Sequence, residues 1–306
     1  AIIIIFAGTA VAWFVLAGVI NQRTAGLDSR LRSKVTQVWG NKHQQAAASL
    51  SFSDVESVTV ALPRGKTTTS VRRTPVQLPT SSKIEVKLGY EPRQKGLLWY
   101  NLFRSEFTGN YQIKNTTNKV VETKLAYAFP DSGGVYDDFY IKVDGVAIET
   151  QTSGSEAIAT FNLPAQSTRV ATIHYKAQGQ DEWRYTFAGV QTGRGAPRDE
   201  NYYPIPSGGV KQIKDFALEV TTDFKDVDFP DQTLPPTTKT AEGDGWKLAW
   251  EYTNLIAGKD IAVKVPQKLN PGPFVQRVTV FAPVALFGQT IAQAALPVLS
   301  REQSKS

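Results

Sequence analysis

Catalytic chemistry in this sequence would have to come from very few side chains, because the chain holds two histidines and no cysteine. The lack of cysteine excludes disulfides, thiol catalysis and thiolate metal sites. His43 lies at the polar end of a predicted helix, and His174 stands at an outward position of a segment that alternates polar and apolar residues. A catalytic triad or a histidine metal site needs more partners than these two residues supply. We interpret His174 as a histidine on a solvated sheet surface.

Two groups of aspartates are the remaining candidates for binding a cation. They are Asp131, Asp137 and Asp138 in one loop, and Asp223, Asp226, Asp228 and Asp231 in another. Neither group has the spacing of an EF-hand, so we interpret both as solvated loops. Nucleophile elbows, phosphate-binding loops, dinucleotide fingerprints and zinc-protease motifs do not occur. The sequence therefore predicts a protein that is not an enzyme and has no cofactor or metal site.

The elements that would position these side chains begin with an apolar run. Residues 1–20 carry no charged side chain, which is the length needed to cross a bilayer core, and we predict a transmembrane helix at residues 1–22. A helical period follows at Leu27, Leu31, Val35 and Val38. It predicts a juxtamembrane helix at residues 23–50, with a break near Gly26 and a stop at Gly40-Asn41.

From residue 52 the pattern changes to a period of two, which is typical of strands with one buried face. Examples are Ile84, Val86 and Leu88, then Val121, Thr123, Leu125 and Tyr127, then Ala171, Ile173 and Tyr175. The pair Asp144-Gly145 predicts a tight hairpin. Short strands separated by turn signals indicate a β-sandwich of immunoglobulin-like architecture at residues 52–190.

The second half of the chain is divided by a segment rich in glycine and proline. We predict a linker or functional loop at residues 191–209, which contains Tyr202 and Tyr203. Strand patterns resume at residues 210–275 and would build a second, smaller β-domain or extend the first sheet. Residues 278–300 carry no charge, and we predict a second membrane crossing or re-entrant segment there, with an amphipathic surface segment as the alternative.

The predicted fold class is therefore mainly β, with an N-terminal transmembrane helix and one or more immunoglobulin-like sandwiches. The predicted contacts with a partner or a membrane are small residues, which allow close helix packing, aromatic residues, which dominate interface energies, and two leucines of the apolar stripe on the second helix. These candidates are Gly8, Trp13, Gly18, Leu27, Leu31, Trp99, Tyr202 and Tyr203.

Several aromatic segments carry a resemblance to a known family. They are Gly96-Leu97-Leu98-Trp99-Tyr100, Phe107-Thr108-Gly109-Asn110-Tyr111 with Asn115, and Phe281-Ala282-Pro283-Val284. In these segments the chain resembles CreD-like inner-membrane proteins of the cell envelope. The resemblance implies an N-terminal membrane helix, a large β-rich periplasmic region and C-terminal membrane helices. Its motifs are packing signatures and imply no catalytic residue.

These observations predict a non-catalytic structural or interaction protein, an accessory or scaffold subunit of a membrane complex or an envelope-maintenance protein. The expected location is the bacterial inner membrane, with the β-region on the periplasmic side, although the arginines after residue 22 favour the opposite orientation. Expected partners are membrane lipid and integral-membrane proteins or a second copy, and not nucleic acid, despite a net charge of +6. The rival function is a carbohydrate-binding module or hydrolase, with Trp99, Trp183, Trp246 or Trp250 stacking on a sugar.

Overall fold

A computed structural model describes the fold of residues 2–54, 72–73, 78–96, 98–187 and 211–270, with six single residues beyond them. These residues divide into two compact units. One unit contains residues 1–35, 93–100 and the chain from Lys268 onward, and the other contains residues 36–92 and 101–267. The second unit holds the core and the candidate site.

One helix and eighteen strands have defined bounds. In chain order they are α1 (Ile2–Trp39), β1 (His43–Ala46), β2 (Ser49–Asp54), β3 (Arg72–Arg73), β4 (Ser81–Tyr90), β5 (Arg93–Lys95), β6 (Leu98–Tyr100), β7 (Leu102–Lys114), β8 (Val121–Ala128), β9 (Tyr136–Val143), β10 (Val146–Ala147), β11 (Thr150–Ser153), β12 (Glu156–Leu163), β13 (Thr168–Gln180), β14 (Glu182–Thr186), β15 (Lys211–Thr222), β16 (Thr238–Glu242), β17 (Gly245–Ala257) and β18 (Ile261–Lys264).

The helix α1 differs from the prediction for the N-terminus. It runs without a break past Gly26 and ends at Trp39, where Gly40 takes a positive φ of 76° and closes the last turn, as predicted for this glycine. The apolar run is therefore only the first part of a longer helix that continues through Arg23 and the charged residues after it. Among the described residues, no helix combines the length and apolarity that a membrane crossing requires. The predicted transmembrane helix at residues 1–22 is wrong, and of the predicted helix at residues 23–50 only the part up to Trp39 is helical.

The largest sheet has eight strands in the order β10-β9-β13-β7-β4-β15-β17-β16. Its strands show the predicted alternation: in β4, Ile84, Val86 and Leu88 are buried while Lys83 and Glu85 are exposed. The predicted hairpin is confirmed, since β9 and β10 are joined at Asp144 and Gly145, both with positive φ.

A five-stranded sheet in the order β11-β12-β8-β2-β3 packs face to face on the eight-stranded sheet. The ring of Phe107 stacks on Tyr175 at 5.0 Å within one sheet and lies 5.9 Å from Tyr127 of the other. All three rings are fully buried, and burying each contributes roughly 1.5–3 kcal/mol. The β-sandwich-like, β-rich part of the predicted fold is confirmed.

A third sheet, in the order β1-β14-β18, pairs the first strand after α1 with two strands from much later in the chain. The strand β1 pairs in parallel with β14, so that His43 lies opposite Trp183. Arg184 of β14 bonds Glu182 at 2.8 Å and Asp260 at 3.3 Å, and all three side chains are nearly buried. This ion-pair cluster anchors β14 beside β18.

The sequence left open whether residues 210–275 form a second domain or extend the first sheet. In the structure β15 pairs in parallel with β4, from Phe216 opposite Ser82 to Thr222 opposite Leu88, and β17 pairs with β15. β15, β16 and β17 therefore belong to the same eight-stranded sheet as β4 and β7. The predicted loop at residues 191–209 lies outside the described residues, and within 278–300 only residues 278, 279, 281, 285 and 288 are described, all of them helical.

Candidate functional site

The prediction that His43 lies at the polar end of a helix is wrong: this residue begins β1, is buried, and has both ring nitrogens engaged. Nε2 lies 2.9 Å from the backbone oxygen of Gln178, which only accepts, so Nε2 carries the proton and donates it. Nδ1 is then an acceptor for the Ser105 hydroxyl at 3.3 Å. Complete burial lowers the pKa of His43 from 6.5 to about 4. This neutral, enclosed imidazole supports β1 and has no access to a substrate.

His174 lies on the outer face of the eight-stranded sheet, as the sequence predicted. Its ring stacks on Tyr140 at 5.0 Å, and Nδ1 is 2.9 Å from the Thr108 hydroxyl. The Lys142 ammonium lies 4.2 Å from the centroid of the Tyr140 ring. Partial burial lowers the pKa of His174, so the ring is mostly neutral at pH 7. No carboxylate hydrogen-bonds to this ring in the described part of the chain, so it has no positioned acid-base partner.

The aspartate groups do not converge on a common point. Asp131 is buried, contrary to the prediction of a solvated loop, and its Oδ2 accepts the Asn41 N–H at 2.8 Å. Asp138 pairs with Lys176 on the sheet surface, and Asp228 lies 3.5 Å from Lys264. Within the described residues, no three acidic or histidine side chains are grouped as metal ligands.

The tryptophans named for sugar stacking are not free platforms. The alternation of residue types predicts buried positions for Trp183, Trp246 and Trp250. Trp183 and Trp250 are fully buried, whereas Trp246 is only half-buried. The ring of Trp246 is covered by the Lys239 ammonium at 4.2 Å, and its Nε1 donates to the Lys225 carbonyl. Trp99 of β6 is covered by Lys268 at 3.9 Å. A ligand would have to displace a lysine from either of the two accessible rings.

The other predicted contact residues lie on α1 or beyond the described chain. Gly8 and Gly18 are exposed, and a Cβ added at either would meet nothing within 4 Å among the described residues. Trp13 is half-buried on the same helix, which also carries Leu27 and Leu31. Tyr202 and Tyr203 lie outside the described residues. Among the candidates whose side chains are described, no hydrogen bond, ion pair or ring contact joins Gly8, Trp13, Gly18 and Trp99 to one another.

The edges of the two large sheets provide a different candidate. An edge strand exposes unpaired N–H and C=O groups, and proteins usually protect such edges with charge, proline or shortness. Among the described strands, three of the four edges are protected in this way: β3 is two arginines, β10 has two residues, and β16 carries Lys239 and Glu242. The fourth edge is β11, with the sequence Thr-Gln-Thr-Ser, which has neither a charge nor a proline.

The geometry of β11 identifies the groups that a partner could use. Ser153 and Glu156 close a two-residue turn in which Gly154 has a φ of 63° and Ser155 has no positive φ, which is a type II′ hairpin. The closing pair exchanges hydrogen bonds, so the next residue, Thr152, directs its N–H and C=O outward, as does Thr150. No backbone hydrogen bond within the described part of the chain reaches these outward groups.

Sequence reasoning missed this edge. The segment at 150–153 is polar and does not show apolar alternation, so nothing marked it as a strand. The available signal was Gly154-Ser155 before the alternating residues Ala157 and Ala159, which is a hairpin turn pattern. The position of β11 at the end of its sheet depends on long-range pairing and has no local signal.

Comparison with known proteins gives little further information. No family model and no curated protein matches the chain. Among solved structures, a Legionella pneumophila protein described as a candidate nutrient binding protein is 14% identical with a TM-score of 0.38, and the match covers 66% of this chain and 71% of that one. An M1 zinc metallopeptidase from Deinococcus radiodurans is 10% identical with a TM-score of 0.33, and the match covers 61% of this chain and 42% of that one. These likenesses are too slight to carry an argument, and the resemblance to CreD-like proteins stays a prediction.

Proposed function

We propose that this chain is a non-catalytic interaction protein whose β-sandwich binds an extended segment of a partner protein along β11. The observation that carries the proposal is the unprotected edge formed by β11, in contrast with the short or charged strands at the other three edges of the two large sheets. Strand addition of this kind is a common way for β-domains to recognise peptides.

The outward groups of β11 determine how many backbone hydrogen bonds a partner strand can form with it. Thr150 and Thr152 offer two N–H and two C=O groups, and four backbone hydrogen bonds contribute roughly 2–6 kcal/mol before ordering costs. About 4 kcal/mol corresponds to a dissociation constant near 1 mM. We therefore expect the partner's side chains, contacting the exposed Gln151 and its surroundings, to supply the remaining affinity and the specificity.

The enclosed His43 and the unclustered acidic side chains support a binding role over a catalytic one in the described part of the chain. We also propose that the β-sandwich has the immunoglobulin-like architecture that the sequence predicts. The predicted partners, an integral-membrane protein, lipid or a second copy, and the predicted inner-membrane location stay predictions.

The experiment is a selection of displayed random octapeptides on the full chain, followed by tests on two proline variants. Thr152→Pro removes one outward N–H without removing a hydrogen bond to β12, because edge strands tolerate proline where the N–H faces solvent. Ala241→Pro is the matched control, since Ala241 holds the same position before the two-residue turn of β16. We expect selected peptides to lose affinity for Thr152→Pro at least tenfold and to keep it for Ala241→Pro.

Amide hydrogen exchange gives an independent measurement on the unmodified protein. A bound peptide should slow exchange at Thr150 and Thr152 more than at Gln151, whose N–H already bonds to β12. Peptides that bind Thr152→Pro as tightly as the unmodified chain, or that protect β16 in place of β11, would refute the proposal.

A further inference from the structure

An open cavity of about 400 Å³ lies at one end of the sandwich, separate from the outward side of β11. Its wall is built from β1, the end of β8 with the loop that follows, and the turn between β11 and β12. This volume is at the lower end of the range for small-molecule sites. The wall is held by backbone hydrogen bonds from Gln44 to Pro130 and from Phe129 to Ser155, so the cavity is formed before any ligand arrives.

The cavity concentrates polar side chains that lack partners. Gln44, Ser132, Ser153, Ser155 and Glu156 line it, and none of these side chains makes a hydrogen bond or ion pair with another described residue. The neighbouring Gln45 is the opposite case. Its amide donates to the carbonyls of Ala46 and Ala128 and accepts from the Tyr175 hydroxyl. The five cavity side chains therefore differ from Gln45 in being available to a ligand.

The charge of the cavity wall restricts the charge that a ligand can carry. Among the residues that the structure describes, Glu156 is the single charged one that lines the cavity, and no described lysine, arginine or histidine does so. An anion would find a carboxylate and no compensating cation, which disfavours phosphates and carboxylic acids. Serine hydroxyls and a glutamine amide can each donate and accept hydrogen bonds. They suit a ligand whose own groups also donate and accept.

The apolar part of the wall is built on packed aromatic rings. The ring of Phe129 stacks on Tyr136 at 4.4 Å and meets Phe139 edge-on at 5.2 Å, and Ala128 and Pro130 flank it. A small apolar wall beside several free hydroxyls matches the two-sided chemistry of a sugar ring, whose C–H groups are apolar and whose hydroxyls are polar.

We propose that this cavity binds one neutral monosaccharide unit, free or at the end of a longer glycan. The Gln44 amide and the three serine hydroxyls bond the sugar hydroxyls, and the Glu156 carboxylate accepts from a further one. This binding involves no bond cleavage, and it uses none of the tryptophans. It is also independent of peptide binding at the outward groups of Thr150 and Thr152.

The experiment is a titration of the isotope-labelled full chain with glucose, galactose and N-acetylglucosamine, followed by amide shifts in NMR spectra. Glucuronate tests the exclusion of anions, and glucosamine tests whether an ammonium group is required. We expect at least one neutral sugar to shift the amides of residues 128–132 and 153–156, and glucuronate to leave them unchanged. The variant Gln44→Ala should bind the sugar about tenfold more weakly.

Matched substitutions separate a lost contact from a lost fold. Glu122→Gln alters an exposed carboxylate on β8 outside the cavity and should leave sugar binding unchanged, whereas Glu156→Gln should weaken it. Retained amide spectra show that each variant is folded. Absence of shifts with all neutral sugars up to their solubility limits, shifts that map elsewhere, or binding of glucosamine alone would overturn the proposal.

Discussion

His43 makes the stability of the fold depend on pH in a way that one substitution can isolate. In the folded chain its pKa is lowered from 6.5 to about 4 by burial, whereas in the unfolded chain the ring is solvated. Between these two pH values the unfolded state binds a proton that the folded state does not. The free energy of unfolding therefore has its full value above about pH 6.5 and falls as the pH drops toward 4.

The size of this effect follows from the difference between the two pKa values. At about 1.4 kcal/mol per pH unit, the drop from 6.5 to about 4 corresponds to a loss of about 3 kcal/mol. Domains are commonly stable by roughly 5–15 kcal/mol, so this one residue removes a substantial share of the total. Because the imidazole is 1% exposed, solvent screening does not reduce the effect.

The assay is urea unfolding at about pH 7 and about pH 4.5, followed by the fluorescence of the buried Trp183 and Trp250. The comparison is between the unmodified chain and His43→Gln, whose amide can still donate to the Gln178 carbonyl but does not titrate. We expect the unmodified chain to lose about 2–3 kcal/mol more than the variant between the two pH values. His174→Gln is the control. Between the two pH values we expect it to lose nearly as much free energy of unfolding as the unmodified chain.

The contribution of the carboxylates cancels in this comparison, because Asp138, Asp144 and Asp260 are present in both proteins. If the unmodified chain and His43→Gln lose the same free energy of unfolding, the imidazole is not buried in neutral form and the reasoning fails. A larger loss in the variant would have the same meaning.

Arg184→Met should lower the free energy of unfolding by about 3–5 kcal/mol, since it leaves two nearly buried carboxylates without their cation, and urea titration at pH 7 measures the loss. Gly245→Ala should prevent folding or destabilise the chain severely, because the new Cβ would overlap the backbone oxygen of Thr222, whereas Gly243→Ala meets no neighbour within 4 Å and should cost about 1 kcal/mol for its positive φ; circular dichroism melting compares the two. Trp250→Ala should destabilise by about 3–5 kcal/mol in the same melting experiment, as a fully buried side chain with its Nε1 bonded to a carbonyl is lost.

The strands with one buried face were predictable from sequence, because burial imposes a period of two on the residue types. The buried sides of β4, β8 and β13 match the residues selected by that pattern. Asp144-Gly145 was predictable for a local reason as well, since its backbone requires positive φ at both residues.

The elements that depend on distant pairing were not predictable. β1 has the sequence His-Gln-Gln-Ala, which gives no strand signal, and it is a strand because β14, some 140 residues later in sequence, pairs with it. The apolar run at the N-terminus satisfied a length rule for membrane helices, but the rule does not register that the helix continues through Arg23 to Trp39. The candidate edge at β11 and the cavity beside its turn are created by sheet order and by loops that meet in space, which no local pattern reports.

The parallel pairing of β4 with β15 also has a consequence for how the chain folds during synthesis. Every strand between β4 and β14 has been made when β15 begins at Lys211, so one side of β4 stays without its neighbour through the production of more than a hundred residues. High contact order of this kind slows folding and leaves a strand available for wrong pairing. A nascent chain that stalls before Lys211 would therefore expose one edge of β4 to wrong pairing, and the eight-stranded sheet can be completed only after β15, β16 and β17 have been synthesised.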